Sequence, residues 1–102
     1  MDRRLELHEK LCDILGSRFV YFQPPESKEL HYPCIIYSLS DMDLVRADNK
    51  LYLHKNRYMV TVIDEDPDST IHEDILEDFQ YCSFNRAYTA DNLNHRVLTL
   101  YY

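Results

Sequence analysis

Cys34-Ile35-Ile36-Tyr37-Ser38-Leu39 follows Pro33 as an almost unbroken apolar run, and a second stretch of strand character, Arg57-Tyr58-Met59-Val60-Thr61-Val62-Ile63-Asp64, comes later in the chain. In the first, apolar residues occupy consecutive positions, the pattern of a central strand covered on both faces. In the second, Tyr58, Val60 and Val62 alternate with Met59, Thr61 and Ile63, so each set takes its own side of an extended segment. Both sets are largely apolar, which predicts another central strand. Two interior strands imply a sheet, and what flanks them decides the fold class.

Upstream, Leu7, Leu11, Ile14 and Leu15 recur at steps of three and four, which predicts a helix over residues 3–15 with these on one face. Gly16, the one glycine of the chain, follows directly and is suited to close that helix in the left-handed conformation. Residues 18–22 read as a short strand, and Gln23-Pro24-Pro25-Glu26-Ser27-Lys28 as a loop unable to join a sheet interior. Between the two long strand segments, residues 41–55 are polar with isolated Leu44, Val45, Leu51, Tyr52 and Leu53 and a turn at Asp48-Asn49-Lys50. That stretch reads as a projecting hairpin arm.

Downstream, residues 64–68 form an acidic turn ahead of a short helix with Ile71, Ile75, Leu76 and Phe79 on its inner face. Ser69 or Thr70 is available to cap it, and Thr70 with Glu73 has capping-box spacing. Residues 83–89 and 94–102 are two strand-like runs joined through Ala90-Asp91-Asn92-Leu93, a hairpin-length connection. The expected order is α-β-β-(β)-β-α-β-β: an α+β fold with a mixed or antiparallel sheet and both helices packed on one face. Residues 1–102 read as a single domain without linker, repeat or low-complexity tract.

At 102 residues, 45% hydrophobic and 13% aromatic, the chain supports one core. Its formal charge of −7 opposes phosphate and anionic lipid, so binding of nucleic acid by bulk charge is not expected. There is no apolar leader and no stretch of 18 uncharged apolar residues, so neither secretion nor membrane spanning is expected. Cys12, Cys34 and Cys82 are odd in number, lack short paired spacing and sit in apolar contexts, which fits reduced thiols in a soluble, intracellular protein. A lone glycine also leaves no room for a phosphate-cradling loop, a dinucleotide fingerprint or a nucleophile elbow. Nine tyrosines suit either strand positions or interfaces that need an apolar body with a polar tip.

Candidate chemistry is thin. Asp64, Asp66 and Asp68 match the opening of a Ca²⁺ loop, but Ser69 replaces the turn glycine, Ile75 the bidentate glutamate, and Pro67 stiffens the segment. A solvated acidic cluster beside a helix start is the better reading. His8, His31, His54, His72 and His95 share no zinc-ligand spacing. Lys50, Tyr52, His54, Lys55 and Arg57 form the basic stretch, open to three readings: a charged hairpin edge that discourages stray pairing, a patch docking a neighbouring subunit, or a DNA contact. No catalytic, cofactor-binding or metal residue is assigned, and no enzyme activity or cofactor is expected.

The residues 7–16, Val20-Tyr21-Phe22-Gln23-Pro24-Pro25, Tyr32-Pro33-Cys34-Ile35-Ile36-Tyr37, the stretch 57–64, Asp66-Pro67-Asp68-Ser69, and the ending from Tyr81-Cys82-Ser83-Phe84 to Tyr88-Thr89-Ala90-Asp91-Asn92-Leu93-Asn94-His95 resemble a small tail-completion protein of tailed bacteriophages. The likeness spans nearly the whole chain and consists of packing and turn features without a catalytic signature. It implies a tail-terminator role: a homo-oligomeric ring, usually a hexamer, that caps the tail tube and joins it to the head-completion or connector protein. It also implies a virion location at the tail neck after assembly in the bacterial cytoplasm, with DNA passing through the lumen and no sequence-specific nucleic-acid contact. Another head–tail connector component, a stopper or adaptor, is the alternative, and a small enzyme or ligand-binding protein a more distant one.

Two expectations about surfaces follow. The arm and the Tyr-rich terminal hairpin suit heterologous contact, so Leu44, Val45, Leu51, Tyr52 and Leu53 are candidates for an inter-subunit contact, against packing back on their own sheet. The carboxylates Glu65, Asp66, Glu73 and Asp74 are candidates to face a lumen and repel phosphate.

Overall fold

The computed structural model describes the backbone of residues 3–47 and 50–102 and the side chains of residues 3–40 and 56–102. In chain order the elements are α1 (Arg3–Leu15), β1 (Val20–Phe22), β2 (Cys34–Ala47), β3 (Lys50–Asp64), α2 (Ile71–Asp78), β4 (Cys82–Ala90) and β5 (Leu93–Tyr101). The strands make one five-stranded sheet in the order β1-β2-β3-β5-β4. β1 runs parallel to β2, and the other pairs are antiparallel, so the sheet is mixed. β3 takes the middle, as its two-sided apolar pattern predicts.

α1 has the expected inner face. Leu7 and Leu11 are fully buried, with Ile14 and Leu15 packed half-buried against the same core. Gly16 ends the helix at φ +81, its N–H donating to the Cys12 carbonyl at 2.9 Å. α2 turns Ile75 and Phe79 inward. Both helices lie on the sheet face formed by Ile35, Tyr37, Tyr58, Val60, Val62, Leu98 and Leu100. Each fully buried aliphatic side chain there contributes about 1.5–3 kcal/mol.

Tyr37 is the hub of this core. Its buried ring meets Phe22 at 5.0 Å, Tyr58 at 5.9 Å and His8 at 5.7 Å between centroids. Its hydroxyl accepts from Arg4 Nη1 at 3.2 Å and lies 2.8 Å from His8 Nδ1. Burial, with the nearby charges of Arg4 and Arg18, favours the neutral imidazole at His8.

The opposite face carries no helix, and here the expectation for β2 is corrected. Its run of apolar residues is covered by helices on one side only: Ile36 and Ser38 are half-buried. Cys34, Ile63 and Val97 are nonetheless buried on this face. In register, His95 stands beside Ile63 and Arg86 beside Val97, with Tyr88 stacked on His95 at 4.7 Å and Arg86 over the Tyr88 ring at 5.2 Å. Flat-lying amphipathic side chains take the place of a second helical layer over part of the sheet.

The hairpin linking β4 and β5 is tighter than its sequence suggests. Asp91 and Asn92 both take positive φ, 52 and 62, giving the two-residue connection whose twist matches antiparallel strands. The short strand expected over residues 18–22 forms as Val20–Phe22 and ends at Gln23, φ 45, whose N–H donates to the Tyr37 carbonyl and whose side-chain oxygen accepts from the Leu39 N–H. The capping box on α2 does not form. Thr70 is the N-cap with φ −109 and ψ 9 and makes no side-chain cap bond, because that conformation is not the extended one that aims a hydroxyl into the first turn. Ser69 Oγ makes a long contact of 3.5 Å with the Ile71 N–H instead.

Leu11→Ala should lower the unfolding free energy by about 2–5 kcal/mol, since its cavity opens in the helix-covered core. Met59→Ala, on the bare face, should change it by no more than about 0.5 kcal/mol. Urea unfolding of both variants checks the asymmetry between the two faces.

Candidate functional site

The described histidines are dispersed, each set against an aromatic ring. His8 bonds Tyr37, His31 stacks on Phe19 at 5.2 Å, His72 faces Phe84 at 5.8 Å, and His95 stacks on Tyr88. His54 lies where side chains are outside the described residues. Among the described residues no group of three or more His, Cys, Asp or Glu is arranged to hold a metal ion. The Asp64, Asp66 and Asp68 series has a structural use: Asp64 Oδ1 accepts from the Asp66 N–H at 3.0 Å, and Asp66 Oδ1 accepts from the Asp68 N–H at 2.9 Å. These are successive Asx turns, which explains the every-other-residue spacing without a cation.

The thiols are poor nucleophiles. Burial pushes Cys34 and Cys82 up to about 11, and burial first also raises Cys12. A protonated thiol is the unreactive form. Among the described residues are hollows of about 170 Å³ beside Tyr88, His95 and Arg96, and of about 160 Å³ among Arg3, Lys10, Phe79 and Tyr102. A larger one of about 430 Å³ lies at the end of α1, where Arg18 is already engaged by Glu9 at 2.7 Å. No helix of the described residues is long and apolar enough to cross a membrane.

What stands out is exposed strand. β4 lies at the sheet edge, paired with β5 on one side and with no strand on the other among the described residues. Its residues 83–89 are all exposed, including Phe84 and Tyr88, and it carries a single charge, Arg86. One bulge interrupts it at Asn85, which donates to Thr99 Oγ1 at 2.7 Å. β1, at the other edge, is 3 residues long and runs into Pro24 and Pro25, so that edge is blunted. On the bare face Met59 is 45% exposed between the small neighbours Ser38 and Thr99.

The arm expected over 41–55 is built from the two longest strands. β2 and β3 pair as far as Ala47 with Lys50, while β5 accompanies β3 only from Arg57 onward and β1 pairs β2 only at residues 35–37. Beyond the sheet the ladder is therefore two-stranded. Leu44 and Val45 lie on β2, Leu51, Tyr52 and Leu53 on β3, and Val45 stands opposite Leu53. Their side chains, and positions 48–49 of the expected turn, lie outside the described residues. The register sets Asp41 opposite Arg57 and Asp43 opposite Lys55, an opposite-charge pairing that favours the ladder.

Glu65, Asp66, Glu73 and Asp74 are all exposed, at the end of the sheet away from the arm and on the first turn of α2. No lysine or arginine lies between Arg57 and Arg86 in the sequence, and the cation that reaches the acidic turn is Arg96, whose Nη2 donates to the Pro67 carbonyl at 2.6 Å. The free β4 edge escaped the sequence reading, which recognised its strand but not its place in the sheet. The signal was there: no proline, no lysine and two aromatics in Cys82–Ala90. No protein-family model, curated protein or solved structure matches this chain.

His8 and His72 are both held below their ordinary value, by burial first and then by the charges of Arg4 and Arg18 or of Arg96. The unfolded chain thus takes up protons before the folded one. The stability these histidines support is whole above about pH 6.5 and declines as the pH falls below it. Unfolding measured from about pH 7.5 down to 5.5 should show that loss, and His8→Gln with His72→Gln should flatten it. Separately, the three thiols of the native protein should react with a disulfide reagent at pH 7.5 at least about 100-fold more slowly than in denaturant. Rapid modification of native Cys34 would contradict its placement.

Proposed function

We propose that this chain is a structural subunit of a phage virion, a tail-terminator-like protein that forms a ring on the tail tube and joins the tail to the head connector. The observation that carries the reading is the two-stranded β2–β3 ladder running beyond the sheet, set against a free, weakly charged β4 edge. Such a chain has different contact surfaces at different places, and heterologous surfaces close into rings when the rotation between copies allows it. Its titratable groups are spent on packing, turns and stacking, which suits a protein that acts by binding and not by catalysis. The resemblance to tail-completion proteins supplies the particular role.

In this reading the arm, with Leu44, Val45, Leu51, Tyr52 and Leu53, reaches a neighbouring subunit. Carboxylates of the acidic end line the DNA path, where they repel phosphate and keep the channel non-adhesive. The partners are further copies of the chain, the tail tube protein and the head-completion protein, and the protein resides at the tail neck.

Imaging of purified protein mixed with tail tubes from its own phage is the direct test. Rings at the head-proximal end of the tubes are the expected result. Binding on the portal side alone would move the chain to the stopper or adaptor class, and no binding to either would overturn the virion role.

A further inference from the structure

We infer that the free edge of β3 in the arm, residues 50–55, of one copy pairs with the free edge of β4 in the next, so that the sheet continues from subunit to subunit. The inference rests on the self-assembly part of the proposed function and specifies its seam. Two unpaired edges exist among the described residues, and the β3 stretch 50–55 is short enough to lie along β4. β3 has β2 on one side and, among the described residues, no paired strand on the other before Asn56, whose carbonyl accepts from the Tyr102 N–H at 3.0 Å, and β4 offers 9 residues. An open row of backbone donors and acceptors is a template for an added strand, and β4 lacks the proline and lysine that usually guard one.

Charge selects the occupant. α2 flanks β4, with His72 against Phe84, and it turns Glu73 and Glu77 to solvent. Arg86, the one charge of β4, stands with Val97 on the face without helices, so a strand arriving there meets carboxylates on the face toward α2. The arm offers two free strands: the β2 half brings Asp41 and Asp43 against one cation, Arg46, whereas the β3 half brings Lys50, His54 and Lys55 and no carboxylate. Only the β3 half complements the flank of β4. Arm and β4 edge are different surfaces, so the contact is heterologous and each copy has one of each left to use, the condition for a ring. The seam takes up Glu73 and leaves Glu65, Asp66 and Asp74 for the lumen.

The test uses the full chain in low salt, with association followed by sedimentation. Lys50→Glu with Lys55→Glu, and separately Glu73→Lys with Glu77→Lys, should each weaken self-association about tenfold or more, because each sets like charges against one another. The chain carrying all four substitutions should regain wild-type association, which a merely damaged fold would not. If wild type assembles and either reversal assembles equally well, the seam is wrong while ring formation stands. If wild type stays monomeric both alone and on tail tubes, seam and ring fall together.

Discussion

Two helices, of 13 and 8 residues, have to cover a five-stranded sheet whose middle strands are 14 and 15 residues long. At about 1.5 Å per residue the longer helix reaches about 20 Å, whereas 15 extended residues reach about 50 Å. That mismatch governs the molecule. One face of the sheet, over part of its length, can be buried by the chain's own helices, and everything else must be protected by side chains lying flat or left exposed.

The consequences differ from place to place. Under α1 and α2 the core is dense and organised around Tyr37, whose ring contacts and hydroxyl network join the first helix to β1, β2 and β3. On the far face the stacked Tyr88 and His95, with Arg86, stand beside the buried Ile63 and Val97 in register, but Met59 is left exposed. At the β4 edge no strand of the described residues pairs with the outer side of the backbone. A chain that leaves a long strand edge and an extended ladder unpartnered, while engaging its histidines in aromatic contacts and its aspartates in turns, has its unspent binding capacity in surfaces. This is the physical basis for reading it as an assembly subunit.

The secondary structure was largely legible because its signals are local. The periodicity of Leu7, Leu11 and Leu15, the position of Gly16 and the alternation around Val60 each follow from a few adjacent residues. The coverage of β2 was not legible, since an apolar run does not say which of its faces a helix will cover, and only the three-dimensional arrangement decides it. The same holds for β4: its sequence predicts a strand, but edge or centre depends on what pairs with it. The Asp64, Asp66 and Asp68 spacing illustrates a local signal with two physical causes, a cation loop or consecutive Asx turns, and the hydrogen bonds assign it to turns. The candidate contact residues of the arm were read from composition, and the strand register adds where they lie along the ladder.

Amide hydrogen exchange, compared between dilute protein and the assembled state, tests most directly whether exposed strand is the working part. The account predicts that the amides of β4 exchange quickly in the free chain and become strongly protected on assembly, together with residues 50–55 of β3. Assembly that leaves β4 exchanging as fast as before, with new protection confined to the helices, would contradict it.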